Sequence, residues 1–292
     1  MKILITGSEG FIGRELMSEC EKQGIEAIGI DFIKNSKPNC YQTDIRSKDI
    51  IELVPERVDA IIHLAALSKD DDCRDKAYQC FDMNVMGTIN LIEAAEKKIA
   101  KQFIFASSEW VYDNCSKGEI KNEESFINIA NHTSEYALSK LVSEANLRQK
   151  YQHGFCPTTI LRFGIIYGPR KDGWSAVESL FNGVKSREEI TVGSLKTGRC
   201  FIHVSDIASG IVKSIGLDGF NIINLEGDTL ITLEDIINTS KNFLEKNPKV
   251  IESNPANANI RNISNEKAKM LLGWKPIIDL ERGLESLLIK TG

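Results

Sequence analysis

Residues 2–13 read KILITGSEGFIG, and this stretch decides the fold. Its first five residues form a short apolar run with β-branched side chains, which predicts a buried strand. Three glycines then open a helical pattern that continues to Cys20. Glycines at this spacing allow a tight turn and a close approach of the backbone to a pyrophosphate, whose charge suits a helix N-terminus. The stretch therefore predicts a dinucleotide-binding turn, with cofactor contacts from Gly7, Gly10, Phe11, Ile12 and Gly13.

The composition is that of an ordinary globular protein of one large or two modest domains. The 292 residues carry a net charge of −5 with dispersed basic residues, so we expect neither nucleic acid nor a membrane surface as a partner. No stretch approaches the ~20 apolar residues of a membrane span. Seven scattered cysteines, without a C-x-x-C pair or metal-ligand spacing, predict reduced thiols in the cytoplasm and no metal site.

The second predicted strand, residues 27–30, ends on an acidic residue. Asp31 follows the last glycine of the turn by 18 positions, where a carboxylate can accept hydrogen bonds from the adenosine ribose hydroxyls. The same charge would repel a 2′-phosphate. We therefore expect Asp31 to bind the cofactor and to favour NAD over NADP.

A third predicted strand, residues 58–64, runs into two alanines. Small residues at a strand end leave room for a cofactor. We expect Leu64, Ala65 and Ala66 to line its site, and His63 to be packed in the core and to have no catalytic part.

Three residues outside the predicted strands carry weaker signals. Asp44 and Ile45 could flank the adenine, or Asp44 could cap a helix before Ser47, and the sequence does not separate these readings. Asn84 lies within a long helical pattern over residues 74–98, where asparagine is unfavourable. We interpret Asn84 as a residue kept for a hydrogen bond.

The fourth predicted strand, residues 101–107, ends in Ser107-Ser108-Glu109. In open α/β sheets the ligand site lies at the carboxyl ends of the strands, so Ser108 is placed to hydrogen-bond a substrate oxygen. Glu109 has two open interpretations, as an additional acid/base or as a carboxylate on the rim of the site.

A helical pattern over residues 134–147 contains Tyr136 and Lys140, one turn apart on the same face. An ammonium group at that distance favours a phenolate and should lower the tyrosine pKa, which makes a general base for a substrate hydroxyl. Taken alone, the spacing fits an amphipathic helix without catalytic function. The combination with the glycine turn and Ser108 favours a catalytic pair.

Strands alternate with helices over residues 1–167, which predicts an α/β fold with a doubly wound parallel sheet of the Rossmann type. We expect this region to be the NAD-binding domain, and residues 168–292 to form a smaller, mixed substrate-binding domain interleaved with it. The elements predicted there are a helix over 174–184, a strand over 189–192, a strand entering a helix over 199–208, a helix over 232–244 capped by Thr232 and Asp235, and a helix stopped by Gly273.

Ordered motifs along nearly the whole chain resemble one family. They are Gly7-x-x-Gly10-x-x-Gly13, Asp31, Asp44-Ile45, His63-Leu64-Ala65-Ala66, Asn84-Val85-x-Gly87-Thr88, Ser107-Ser108-x-x-Val111-Tyr112, Tyr136-x-x-x-Lys140, Leu161-Arg162-x-x-x-x-Tyr167-Gly168-Pro169-Arg170, Phe201-Ile202-His203-Val204-x-Asp206 and Leu272-Gly273-Trp274-Lys275-Pro276. In these motifs the chain resembles an extended short-chain dehydrogenase/reductase of the NAD-dependent nucleotide-sugar epimerase/dehydratase group.

This resemblance implies an enzyme that takes a hydride from a nucleotide sugar onto bound NAD and usually returns it. Tyr136 would be the acid/base, Lys140 would hold the nicotinamide ribose, and Ser108 would orient the reacting oxygen. The remaining implied contacts are to the cofactor from Asn84 and Ser107, and to the substrate from Arg170 and Arg199. Helices near residues 84–98 and 134–150 would form a homodimer.

The chain departs from the family pattern at three places. Ile165 stands where epimerases often have an asparagine that holds the diphosphate. Glu109 is followed by Trp110, whereas the 4,6-dehydratases usually have an acidic pair there. Asp113 replaces the usual glycine. An epimerase is favoured because that acidic pair is incomplete. The alternatives are a dehydratase, a reductase that consumes NADPH on a keto-sugar, and a non-enzymatic dinucleotide-sensing protein.

Overall fold

The structure, a computed structural model, describes residues 1–35, 37–112, 114–116, 118–170 and 175–288. Within these residues the strands are β1 (Lys2–Thr6), β2 (Glu26–Asp31), β3 (Cys40–Gln42), β4 (Ala60–His63), β5 (Phe103–Ser108), β6 (Thr158–Phe163), β7 (Ile166–Tyr167), β8 (Glu189–Val192), β9 (Gly198–Arg199), β10 (Ile202–His203), β11 (Phe220–Leu225), β12 (Ile231–Thr232) and β13 (Lys249–Glu252).

The helices in the same residues are α1 (Phe11–Lys22), α2 (Ile50–Leu53), α3 (Asp70–Cys73), α4 (Ala77–Phe81), α5 (Gly87–Lys97), α6 (Glu135–Gln152), α7 (Ala176–Ser186), α8 (Val204–Lys213), α9 (Leu233–Leu244), α10 (Glu266–Leu272) and α11 (Leu280–Ser286). A π-helical segment spans Asp82–Met86, and single 3₁₀ turns span Glu109–Val111 and Ile129–Asn131. In this part of the chain no helix combines the length and the apolar character that crossing a membrane would require.

The chain folds into two compact units, each built from three segments. The first unit consists of Met1–Asp113, Phe126–Arg162 and Ala208–Ile223. The second unit consists of Asn114–Ser125, Phe163–Ile207 and Asn224–Gly292.

A seven-stranded sheet with the order β11-β6-β5-β4-β1-β2-β3 confirms the predicted α/β class. Strand β1 pairs in parallel with β2 and β4, and the pairs β2–β3 and β4–β5 are also parallel. The sequence predicted the bounds of β1 and β6 correctly and missed β3 and β11. Strand β3 is short and mostly exposed, and β11 interrupts its apolar residues with asparagines, so neither has a clear pattern.

The glycine turn forms as expected between β1 and α1. Gly7 adopts a φ of 74° and donates its N–H to the carbonyl of Ile30, at 2.8 Å, so the turn rests on the end of β2. A Cβ at Gly13 would lie 2.0 Å from the carbonyl oxygen of Gly7. The close packing of helix on turn therefore requires glycine at this position.

The helical pattern over residues 74–98 is not one continuous α-helix. It divides into α4, the π-helical segment and α5, and Asn84 lies within the π-helical turn. The Asn84 carbonyl accepts hydrogen bonds from the hydroxyls of Thr88, at 2.6 Å, and Ser143, at 3.2 Å. Side-chain donors of this kind sustain a widened turn, and such turns frequently mark functional sites.

The second unit contains the caps that the sequence predicted. Thr232 and Asp235 form a reciprocal capping box at the start of α9, and Gly273 ends α10 with a φ of 55°. The predicted helix over residues 174–184 is observed as α7, which begins after Ser175; Trp174 lies outside the described residues. A single strand was predicted to enter a helix over residues 199–208. The structure has two short strands there, β9 and β10, followed by α8.

Candidate active site

Three predicted catalytic residues meet at the carboxyl end of β5. Ser108 is the last residue of the strand, and its hydroxyl shares a hydrogen bond with Tyr136 from the first turn of α6. The Lys140 ammonium, one turn further on, lies 5.8 Å from the centre of the Tyr136 ring. The structure therefore brings Ser108, Tyr136 and Lys140 together as the sequence predicted.

The start of α6 is fixed by its N-cap. Ser134 accepts a hydrogen bond from the N–H of Ala137, at 3.2 Å, which satisfies one of the free donors of the first turn. The same hydroxyl donates to Asp70 at 2.5 Å. Tyr136 is the second residue of the helix that this cap begins.

Burial dominates the pKa values of Tyr136 and Lys140. It raises the pKa of Tyr136 to about 12, and only the hydrogen bond from Ser108 acts in the opposite direction. Burial also lowers the pKa of Lys140 to about 8. We expected a lowered pKa for Tyr136, and this expectation is wrong. The pKa is raised because the buried phenol is removed from water, which disfavours the charged phenolate.

Glu144 and Arg162 form a buried ion pair close to these residues in sequence and in the fold. The carboxylate of Glu144, one turn beyond Lys140, accepts two hydrogen bonds from the Arg162 guanidinium, at 3.0 and 2.7 Å. The Ser107 hydroxyl donates to the same carboxylate at 2.5 Å. Sequence reasoning assigned Ser107 to the cofactor and missed Glu144, although the four-residue spacing from Lys140 placed Glu144 on the same helix face.

Glu109 is fully buried at the end of β5, within the 3₁₀ turn that Ser108 caps. The interpretation as a carboxylate on an exposed rim is therefore wrong. The side chain of Trp110, its neighbour, packs against Tyr136 with ring centres 6.5 Å apart. Asp113, the third departure from the family pattern, lies outside the described residues.

The residues around the glycine turn fit a dinucleotide. Helix α1 has Gly10 as its N-cap, with no side-chain cap and no acidic residue in its first turn, which suits a pyrophosphate. The Asp31 carboxylate is held at the end of β2 by the N–H groups of Glu9 and Ile33, each at 2.9 Å. Phe11 and Ile12 are the first two residues of α1, and their contact with the cofactor stays a prediction.

The alanines after β4 lie against the same turn. The N–H of Ala65 lies 3.3 Å from the hydroxyl of Thr6, and a Cβ at Gly7 would come within 2.8 Å of that nitrogen. Leu64 also donates to the backbone of Thr6, at 3.1 Å, and Ala66 follows. The structure thus brings these residues together with the glycine turn.

His63 is packed in the core, as expected. Its ring nitrogens lie 2.7 Å from the hydroxyl of Thr6 and 2.9 Å from that of Thr88. Burial lowers its pKa to about 3, so the imidazole is neutral at physiological pH.

Asn84 uses its side chain to hold the loop after β4. Its amide oxygen accepts from the N–H of Leu67 at 2.8 Å, and its amide nitrogen donates to the carbonyl of Leu67 and the hydroxyl of Ser139, both at 3.0 Å. The interpretation of Asn84 as a residue kept for a hydrogen bond is confirmed. Its contact with the cofactor stays a prediction.

Asp44 does not cap a helix, because α2 begins only at Ile50. Its carboxylate binds the guanidinium of Arg46, which holds the Asp44 pKa below its usual range. Ile45 is buried, and a Cβ at Gly87 would lie 2.6 Å from its side chain. Packing therefore accounts for Ile45, and the adenine contact of both residues stays a prediction.

The two arginines predicted to bind substrate belong to the second unit, and both have protein partners. Arg170 forms a buried ion pair with Glu178, at 2.6 Å. Arg199 donates to the backbone and side-chain oxygens of Asn259, at 2.7 and 2.6 Å. Their contact with a substrate stays a prediction.

Comparison with known proteins identifies the family of this chain. The family model described as "NAD dependent epimerase/dehydratase family" matches residues 3–224. The chain is 26% identical to a UDP-glucuronate 4-epimerase of Thermodesulfobacterium geofontis, over 97% of this chain and 93% of that protein. It is 27% identical to UDP-glucuronic acid decarboxylase 6 of Arabidopsis thaliana, over 97% of this chain and 87% of that protein.

A solved structure extends the likeness to the fold. The UDP-glucuronic acid 4-epimerase from Bacillus cereus, in complex with UDP-glucuronic acid and NAD, superposes with a TM-score of 0.84 at 27% identity, covering 98% of this chain and 97% of that one. The residues of the glycine turn and Asp31 fit the same dinucleotide, and NAD is the cofactor. The chain is thus an enzyme and belongs to the NAD-dependent epimerase/dehydratase family.

Proposed function

We propose that this enzyme is an epimerase of a UDP-sugar that works through a transient keto-sugar. The observation that carries the proposal is the assembly of Ser108, Tyr136 and Lys140 at one strand end, where Glu109 follows Ser108. Inversion at a carbinol carbon needs one hydride acceptor and one acid/base. The similarity to UDP-sugar epimerases supports the substrate class.

The chain's own residues carry the proton in this reaction. Tyr136 takes the proton of the sugar hydroxyl as the carbonyl forms and returns it when the hydroxyl re-forms. Ser108, already hydrogen-bonded to Tyr136, holds the reacting oxygen. NAD, when bound, accepts the hydride from the sugar carbon and gives it back, so that no net reduction occurs.

Lys140 supplies the positive charge that this proton transfer requires. With a pKa of about 8, its ammonium is largely protonated at pH 7. A cation 5.8 Å from the Tyr136 ring favours the phenolate over the phenol, most strongly where water is excluded. Lys140 also donates to the carbonyl of Ala106 at 2.8 Å, which leaves ammonium protons for a ribose hydroxyl.

The buried carboxylate of Glu109 favours a second candidate function. A dehydratase must move a proton on carbon as well as a hydride, and Glu109 lies beside Ser108 at the right strand end. Trp110 occupies the next position, where the acidic pair of a dehydratase would continue. For this reason we favour epimerisation.

A panel of UDP- and dTDP-sugars, incubated with the NAD-loaded enzyme and analysed by mass spectrometry and NMR, tests the proposal. We expect one UDP-sugar to give an isomer of equal mass with catalytic NAD. Loss of water or carbon dioxide, or consumption of added NADPH, would contradict it.

Two substitutions separate the candidates. Tyr136→Phe should lower turnover by about 10²–10⁴-fold, because it removes the acid/base. Glu109→Gln should leave turnover within a few-fold of the parent if the enzyme is an epimerase. Steady-state rates with the identified substrate are the measurement. A Glu109→Gln enzyme that still reduces its NAD but releases no product would show carbon-proton chemistry instead.

The choice of NAD over NADP should depend on Asp31. We propose that its carboxylate accepts the adenosine ribose hydroxyls, so Asp31→Asn should raise NADP affinity relative to NAD by about tenfold, or about 1.4 kcal/mol. Calorimetric titration with both cofactors measures this ratio. The matched control is Asp59→Asn, at the opposite end of the sheet, which should not change it. Tighter binding of NADP than NAD by the parent would overturn the assignment.

We also propose a cytoplasmic homodimer. The seven cysteines are all free thiols, which suits a reducing compartment. Met86 and Val142, on the two predicted interface segments, are 54% and 42% exposed. Exposed apolar side chains on neighbouring helices favour a subunit contact.

Light scattering tests the assembly. The parent should be a dimer at micromolar concentration, and Val142→Glu should shift the mass towards the monomer because burying an unpaired charge is costly. Met270→Glu, at another exposed apolar residue, is the control that should stay dimeric. A monomeric parent would refute the proposal.

A further inference from the structure

We propose that Glu144 and Arg162 are positioning residues that set the distance between Tyr136 and Ser108. The pair ties helix α6 to the end of strand β5, and neither side chain is assigned to the reacting atoms. The inference rests on the proposed function for its kinetic test, and a binding measurement tests it separately.

The contacts of the pair join helix α6, strand β6 and strand β5, all in the first unit. The Glu144 carboxylate on α6 takes both Nε and Nη2 of Arg162 on β6, in a fork at 3.0 and 2.7 Å. The remaining Nη1 of Arg162 donates to the hydroxyl of Tyr112 at 2.8 Å. The Glu144 side chain is only 8% exposed and the Arg162 side chain only 4%. The two hydrogen bonds of such a fork fix direction as well as distance.

The pair acts on the site through its link to β5. Ser107, whose hydroxyl donates to Glu144 at 2.5 Å, immediately precedes Ser108. On the helix, Glu144 lies four residues after Lys140 and eight after Tyr136, on the same face. One carboxylate therefore connects the strand residue beside the catalytic serine to the helix that carries the tyrosine.

Stability alone does not explain a buried ion pair here. A buried pair is often no more stabilising than apolar residues of the same volume, because both ions lose their hydration. The fork, in contrast, restricts how α6 can slide or rotate along the ends of β5 and β6. A small displacement of reacting groups is enough to cost a large factor in rate.

Glu144 also supports the charge of Lys140. Burial lowers the pKa of Lys140, and the groups that act against burial are the thiols of Cys80 and Cys73 and, after them, the Glu144 carboxylate. The titratable groups that face Lys140 are Tyr136 and Glu144 on α6, the thiols of Cys73 and Cys80 from α3 and α4, and the neutral imidazole of His63 from β4. Removing the Glu144 charge, with Arg162 left in place, should make Lys140 lose its proton at a lower pH.

Three variants test the proposal. Glu144→Gln removes the charge, and the double variant Glu144→Leu/Arg162→Met replaces the pair by apolar side chains that leave no buried charge unpaired. Glu26→Gln is the control, because Glu26 forms an exposed ion pair with Lys2 at the amino end of the sheet. Thermal unfolding identifies variants that fold.

We expect the folded double variant to lose about 10²-fold in kcat, with KM for the sugar nucleotide nearly unchanged. The Lys140 pKa of about 8 should place the alkaline limb of the parent's pH–rate profile near pH 8, and we expect this limb at lower pH in Glu144→Gln. The control variant Glu26→Gln should have the kcat and the alkaline limb of the parent. A double variant with parental kcat, or an unmoved alkaline limb in Glu144→Gln, would overturn the proposal.

A separate readout keeps this test apart from the proposed function. NAD affinity of the parent and of Glu144→Gln, measured by calorimetry from pH 6 to pH 9, reports Lys140 through its ribose contact without any turnover. If no UDP-sugar reacts but the affinity profile of Glu144→Gln still shifts to lower pH, the proposed function fails and the support that Glu144 gives to the charge of Lys140 stands. Identical affinity profiles would refute that support.

Discussion

The active site depends on the attachment of helix α6 to the end of strand β5. The Lys140 ammonium donates to the carbonyl of Ala106, and the Glu144 carboxylate accepts from Ser107, so two side chains one turn apart bind the same strand. Tyr136, on the helix, shares a hydrogen bond with Ser108, on the strand. Because both contacts are buried, each polar group lost would leave a partner without a hydrogen bond.

The same burial determines the chemistry. It makes the phenol of Tyr136 a weaker acid and the ammonium of Lys140 a stronger one, which opposes ionisation at both groups. Neighbouring groups act against burial at both residues, namely the hydroxyl of Ser108 for the phenol, and the thiols of Cys80 and Cys73 and the carboxylate of Glu144 for the ammonium. Preorganised dipoles and charges in a site shielded from water are the usual source of large rate effects.

Sequence reasoning located the parts of the site that depend on local spacing. The glycine turn, Asp31 and the Tyr136–Lys140 pair follow from strand and helix periods, and the structure places Ser108 beside Tyr136. The Glu144–Arg162 pair joins residues 18 positions apart, and no period relates them. The direction of the Tyr136 pKa shift was wrong because burial arises only in the folded chain.

The sequence did not predict strand β11 or the π-helical turn, because both depend on contacts with residues that are distant along the chain. Strand β11 is recruited to the sheet from residue 220 onward by pairing with β6, and its own asparagines conceal the strand pattern. The π-helical turn at Asn84 arises because Thr88 and Ser143 donate to its carbonyl, and Ser143 is distant in sequence.

The central claim is that the enzyme returns the hydride to the carbon it left and moves protons only between oxygen and Tyr136. The most direct test uses a UDP-sugar substrate that carries deuterium at every carbon of the sugar ring, incubated with the NAD-loaded enzyme in ordinary water. Mass spectrometry of the product then counts the retained label. The account predicts an isomer that keeps every deuterium, whereas a product in which one has been exchanged for solvent hydrogen would contradict it.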